Sequence, residues 1–278
     1  MVSSGQTLQP NMTTTSPPRR NWHFNRWLIV FIVAVFGWSG WRAYAFHSAL
    51  AEARALGWRI EYTEPSERIR KNWKAAFKKE TWLDGVTELR VQTSGDMRHN
   101  LATVTRLNPR ALTIQHAAAM RDLSALQCLT RLQKVALYKC TRLINVDALK
   151  NHSALQSVAL EGCTDLTNVD ALNSLSALRF VKLTHCKALT NLDGIKNLPA
   201  LLEIRIFGCD RLTNVDALKS LPALQKIDIT ACDGLTNLDA LKNLSTLQSV
   251  QLHGSTGITK ENVAALKAAL PNVKINDR

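Results

Sequence analysis

The sequence predicts an α/β solenoid, in which short parallel strands stack into one sheet, preceded by a transmembrane helix. Three observations predict this. A 23-residue unit recurs from Leu132 onward, with Leu132, Leu155, Leu178, Leu201, Leu224 and Leu247 opening successive copies. A cysteine stands at the ninth position of each full copy (Cys140, Cys163, Cys186, Cys209 and Cys232), and Ser255 takes that place in the last. Upstream, residues 27–46 are apolar apart from Ser39 and Arg42. A fixed period of this length marks a chain that grows by stacking, each unit burying its apolar edge against its neighbours.

The elements follow in order. Residues 1–18 are rich in Ser, Thr, Pro and Gln and carry no charged side chain, so residues 1–26 read as a disordered tail. Arg19, Arg20 and Arg26 then precede the apolar run. Twenty residues at ~1.5 Å rise reach ~30 Å, the thickness of a bilayer's hydrocarbon core. Trp27, Trp38, Trp41 and Tyr44 lie towards the ends of the run, where amphipathic rings settle at the interface, and Arg42 can snorkel. The absence of a polar face between Leu28 and Trp38 argues against a buried soluble helix.

This span reads as an uncleaved single-pass anchor. Its rival is a signal peptide cut near Ala45, since Ala43-Tyr44-Ala45 fits a small-x-small site, and cleavage there would release a secreted protein. The long lead and the bulky Trp41-Arg42 pair count against cleavage. Three arginines precede the span, whereas Arg54 and Arg59 beyond it are mixed with Glu52 and Glu61. That bias places the N-terminus in the cytoplasm and the repeats on the far side of the inner (cytoplasmic) membrane.

Residues 47–85 read as a helical spacer and N-terminal cap. His47–Trp58 continues as a short helix, and Arg59–Tyr62 can form a brief strand. Thr63-Glu64-Pro65-Ser66-Glu67 has helix-start chemistry, and Ile69, Trp73, Ala76 and Phe77 then make an apolar stripe. That stripe suits a helix covering the open end of the stack; its basic residues would also suit an anionic lipid surface.

Residues 86–131 hold degenerate first repeats. Leu112, Ile114, Met120, Leu123 and Leu126 stand one period before Val135, Leu137, Leu143, Val146 and Leu149. Val86, Leu89, Val91 and Met97 keep the frame one period earlier still. The regular units fill residues 132–258, and residues 259–278 close the stack. There Thr259-Lys-Glu-Asn starts a helix through Ala269, ahead of Pro271, and Val273–Ile275 begins a last strand.

Written from Leu224, one unit reads LQKIDITACDGLTNLDALKNLST. This resembles the leucine-rich repeat family, whose pattern is L-x-x-L-x-L-x-x-N/C-x-L, and within it the bacterial internalin-like and cysteine-bearing kinds. The resemblance covers Leu132–Ile258 strongly. It implies a right-handed leucine-rich repeat solenoid with a parallel concave β-sheet and short helical or irregular convex segments. Val135-Ala-Leu137 and its counterparts then alternate, with the middle residue facing solvent. The ninth-position cysteine turns inward, where family members often place asparagine, and fills the slot as a small buried hydrophobe. Asn145, Asn168, Asn191, Asn214 and Asn237 each stand two residues before Asp147, Asp170, Asp193, Asp216 and Asp239. The aspartates are expected to cap the short convex turn, and lysines one turn later suit its C-terminal end.

Several chemistries find no support. The cysteines form no C-x-x-C pairs, so no metal site and no disulfide is expected, and buried free thiols are. No G-x-S-x-G, H-E-x-x-H, P-loop or dinucleotide fingerprint occurs, and His185 and His253 read as surface residues at strand ends. Hence no catalytic residue, cofactor or small-molecule substrate is expected. Basic residues exceed acidic ones by 35 to 22, but no basic block concentrates the excess on one face, which argues against nucleic acid.

What varies between units is the outward face of the sheet, so a protein partner is expected there. Phe180, Lys182, Arg205 and Phe207 fall on adjacent coils as a basic-aromatic patch, with Tyr138, Glu203, Lys226 and Asp228 around it. The alternatives are an envelope scaffold that binds nothing specific, and a carbohydrate or cell-wall binding module using the same aromatics.

Overall fold

A computed structural model describes residues 44–62, 86–92 and 101–277. The chain from Ala45 onward is one compact unit. The expected anchor over residues 27–46 lies outside the described residues save for its last three, as do the expected tail and the apolar stripe of residues 69–77. Among the described residues no helix is long and apolar enough to cross a membrane.

Among the described residues helix α1 covers 44–55 and ends in a turn at Gly57, whose φ of +72° suits glycine. Phe46, the last residue of the expected span, is buried with Ala49, Leu50, Ala53 and Trp58 as the first layer of the core. The spacing of the first four puts them on one helix face, and Trp58 follows the turn. Strand β1 (Arg59–Tyr62) then pairs antiparallel with β2 (Val86–Gln92).

From β2 on, every strand is parallel to the next. These are β3 (Ala111–Gln115), β4 (Lys134–Tyr138), β5 (Ser157–Glu161), β6 (Phe180–Thr184), β7 (Glu203–Phe207), β8 (Lys226–Thr230), β9 (Ser249–His253) and β10 (Lys274–Asn276). From β3 to β9 the partners are 23 residues apart, Val135↔Val158 and Leu137↔Leu160 for example, so the sequence period is the register of the sheet. Alternation does the rest: Val135 and Leu137 are buried while Ala136 between them is half-exposed. Leu89, Val91, Leu112 and Ile114 are buried in the same rows, which carries the solenoid back through both degenerate units.

Helix α2 (Leu101–Leu107) returns the chain from β2 to β3 and was not legible in the sequence. Val104 and Leu107 are buried, and Arg106 bonds Thr103 on its own helix and ion-pairs with Glu52 of α1. Hydrogen bonding from Thr103, followed by the nearby Arg106 charge, holds the Glu52 carboxyl below its ordinary range.

Later units return through 3-10 turns, such as Asp147–Leu149, Asp170–Ser174 and Asp193–Ile195. Here the capping residue is not the expected one. The aspartates do not cap these turns but form their first residue, and the preceding Val146, Val169 or Leu192 offers no side-chain bond. The cap comes from the asparagine ladder. Asn145, Asn168, Asn191, Asn214 and Asn237 accept the N–H of the aspartate two residues on, at 2.6–3.3 Å. Asp193 and Asp239 instead pair with Lys196 and Lys242 one turn later.

The cysteines behave as expected. Cys140, Cys163, Cys186, Cys209 and Cys232 are fully buried and free, and Cys128 is exposed. Each ladder thiol after the first donates weakly to two carbonyls, one in its own coil and one in the coil before; Cys186, for example, reaches Thr184 and Leu160 at 3.7 Å. Contact with the next thiol (Cys163 or Cys209) and then burial push Cys140 and Cys186 above the usual thiol range, and burial pushes Cys232 to about 12.

The end of the stack also forms as read. Helix α3 (Lys260–Ala269) begins at Thr259, whose hydroxyl accepts the Asn262 N–H while the Asn262 side chain accepts the Thr259 N–H. Val263 and Leu266 are buried over the last coil, and β10 adds one short parallel strand.

Candidate recognition surface

Three outward rows cross the open face of the sheet. The third-position row runs Lys134, Ser157, Phe180, Glu203, Lys226 and Ser249 on β4 to β9. The fifth-position row runs Ala136, Ala159, Lys182, Arg205, Asp228 and Gln251, and the seventh Tyr138, Glu161, Thr184, Phe207, Thr230 and His253.

The register makes Lys182 and Arg205 direct neighbours, and likewise Arg205 and Asp228, and Glu203 and Lys226. The Arg205 guanidinium lies over the Phe180 ring at 5.6 Å and bonds Glu203 at 2.5 Å. Lys182 bonds Glu161 at 2.9 Å, and Asp228 accepts the Thr230 hydroxyl at 2.8 Å. Tyr138 sits apart, two strands before Phe180. Glu203, Arg205, Lys226 and Asp228 border a shallow depression of about 320 Å³ with Ser249 and Gln251.

The two phenylalanines do not meet. Phe180 takes the arginine, whereas Phe207, 40% exposed, packs edge-on against His185 at 4.9 Å. His185 thus joins the patch, a role the sequence reading did not give it. Its backbone explains how: φ is +51°, and His116, Lys139, Gly162, Gly208, Ala231 and Gly254 at the same position are all left-handed. That eighth position turns each strand into its loop, with its N–H bonded to the seventh-position carbonyl of the next coil. At Gly208 a Cβ would stand 2.4 Å from His185 Nδ1, so a side chain there would displace the imidazole. The alternation of Gly with His, Lys and Ala along one position was the available signal. Thr184 departs from its row: it is buried although it belongs to the outward face.

Among the described residues, no group of three or more His, Cys, Asp or Glu side chains is placed to hold a metal ion. The arrangement offers salt-bridged side chains, aromatic edges and exposed donors on a rigid parallel sheet, which is the equipment of a binding surface.

Fold and surface together define a repeat solenoid of the α/β class with one open sheet face. The family model for plant disease resistance protein RPS2-like leucine-rich repeats matches residues 97–233. Comparison with curated protein sequences finds no match. Among solved structures, internalin C2 (inlC2) of Listeria monocytogenes is similar at 18% identity and a TM-score of 0.51, over 76% of this chain and 93% of that one. The TLR13–ssRNA13 complex matches at 19% identity and a TM-score of 0.52, over 68% of this chain; the match spans only 28% of the TLR13 chain. The leucine-rich repeat domain of the type III effector XopL aligns over 86% of this chain and 93% of that one, at 17% identity and a TM-score of 0.49. Residues 97–233 thus carry leucine-rich repeats.

Proposed function

We propose that the chain is a non-enzymatic, membrane-anchored leucine-rich repeat protein that recognises another protein through the concave face of its sheet. The observation that carries this is the contrast between rows. Inward positions repeat as Leu, Val, Ile or Cys from coil to coil, whereas the outward fifth position changes from Ala159 to Lys182, Arg205, Asp228 and Gln251. A preorganised sheet displaying such side chains loses little conformational entropy on binding, so its contacts convert efficiently into affinity. Residues 27–46 serve as the anchor in this reading, with the repeats outside the cytoplasm.

Two measurements test it. Cross-linking capture from cells making the full-length chain is compared with the Phe180→Ala/Arg205→Ala double variant; a partner recovered equally well with both places recognition off the patch and refutes the reading. Cys128, the exposed cysteine, reports topology. A membrane-impermeant maleimide labels it on intact cells if the repeats lie outside, and labelling that requires lysis overturns the orientation.

A further inference from the structure

A second depression, of about 500 Å³, opens on the same face over β2–β5, away from the basic-aromatic patch. Its floor is low because Ala111, Ala136 and Ala159 occupy outward positions that carry Phe180, Lys182 and Arg205 further along. Arg110 and Lys134 border it where the strands begin, and Tyr138 where β4 ends. The charges here differ from those of the patch. Lys182 and Arg205 are each bonded to a glutamate, and Arg90 on β2 is bonded to Glu88. Among the described residues, Arg110 and Lys134 have no carboxylate partner, and the one acid bordering the depression is that same Glu88.

We propose that this depression docks a carboxylate-bearing stretch of the partner protein, laid across β3–β5. The inference rests on the recognition reading above and adds where the partner sits and what it carries. An arginine and a lysine without acceptors at one edge, with a phenol at the other, favour an incoming acceptor with negative charge; a neutral or basic stretch would leave both cations unmatched. The alanine floor admits a backbone to close approach. Three strands at ~4.8 Å spacing span ~10 Å, the length of about three extended residues. The depression is also too open to enclose most of a small molecule's surface, as a metabolite pocket does.

The test is fluorescence anisotropy at low salt, with the full-length chain and a short fluorescein-labelled peptide of alternating glutamate and alanine. The same peptide with glutamine for glutamate is the control. The acidic peptide binds and the control does not. Arg110→Gln/Lys134→Gln weakens binding about tenfold or more, and by more than Lys182→Gln/Arg205→Gln does, whereas Lys150→Gln/Lys219→Gln on the convex turns changes it less than about twofold. Ala136→Trp fills the floor at unchanged charge and also weakens binding about tenfold, with circular dichroism confirming the fold. Equal binding of both peptides, or no saturable binding of either, overturns the acidic-partner assignment. Binding that depends on Lys182 and Arg205 but not on Arg110 and Lys134 overturns this location while keeping recognition on the sheet face. Binding unchanged in every variant refutes both.

Discussion

Gly194 is the sharpest test of the packing between coils. The same position holds Ala148, Ala171, Ala217 and Ala240 in other units, so repeat statistics alone recommend Gly194→Ala. On that reasoning the alanine stabilises by ~0.4–1 kcal/mol, by restricting the unfolded chain. The structure reverses the sign. A Cβ at Gly194 would stand 1.9 Å from the Val169 carbonyl oxygen and 2.3 Å from its carbon, where carbon–oxygen contacts normally begin near ~3.3 Å. Both obstacles are backbone of the preceding coil, so the coil must move by more than ~1 Å. Forcing a methyl into a packed interior costs ~1–3 kcal/mol, which outweighs the gain and leaves a net loss of about 1–2 kcal/mol. Urea unfolding reads the loss as a lower midpoint. Because a solenoid loosens locally, amide exchange at Leu172 and Ile195, whose N–H groups bond Val169 and Leu192, should quicken about tenfold while β3 and β4 stay unchanged. An equal or higher midpoint for the alanine variant would refute the close approach of these coils.

Three further outcomes follow from buried groups. The folded chain presents one rapidly alkylated thiol, Cys128, and the other five of its six cysteines react only on unfolding; a second fast thiol in the native protein contradicts the closed ladder. With the folded-state pKa of Cys232 raised to about 12, the unfolded chain releases that proton first, so stability falls as pH rises from ~8.5 towards 12, checked by urea midpoints across that range. His152 occupies the place that Leu129, Leu175, Leu198, Leu221 and Leu244 hold in other coils, buried with its ring nitrogens 3.3 and 2.9 Å from the Leu149 and Leu126 carbonyls. Both carbonyls already accept a backbone N–H, so His152→Leu leaves no orphan and stabilises by up to ~1 kcal/mol. His152→Ala opens a cavity and costs ~2 kcal/mol or more. A lower melting temperature for the leucine variant would show that the imidazole bonds outweigh the apolar packing.

The sequence revealed most of what the period controls. Strand register, inward rows and the thiol ladder all follow from one residue type recurring at one spacing, and the Thr259 cap from local chemistry. Three features escaped for different physical reasons. Helix α2 lies in a degenerate unit, where Leu101, Val104 and Leu107 show a helical face too short to distinguish from a loop. The cap falls to Asn and not, as expected, to Asp, because both side chains can accept the same kind of backbone bond and stand two positions apart, so spacing alone does not choose between them. On the open face, the sequence correctly made neighbours of Lys182 and Arg205. It could not show that Glu161 and Glu203 would engage both, because those bonds depend on rotamers across and along strands.

That last point bears on how a regular scaffold acquires a surface. The inward rows are held by contacts with two neighbouring coils, so a change there propagates, as at Gly194. An outward residue touches mainly its counterparts in the same row and can change at small cost. Large side chains at such positions are therefore conspicuous, but they are also the ones most able to satisfy one another, as Arg205 does with Glu203 and Phe180. The small ones leave room and leave their charged neighbours unmatched. On the docking proposed for this sheet, the alanines of β3–β5, which a search for aromatic anchors passes over, mark where a partner gains most by filling space.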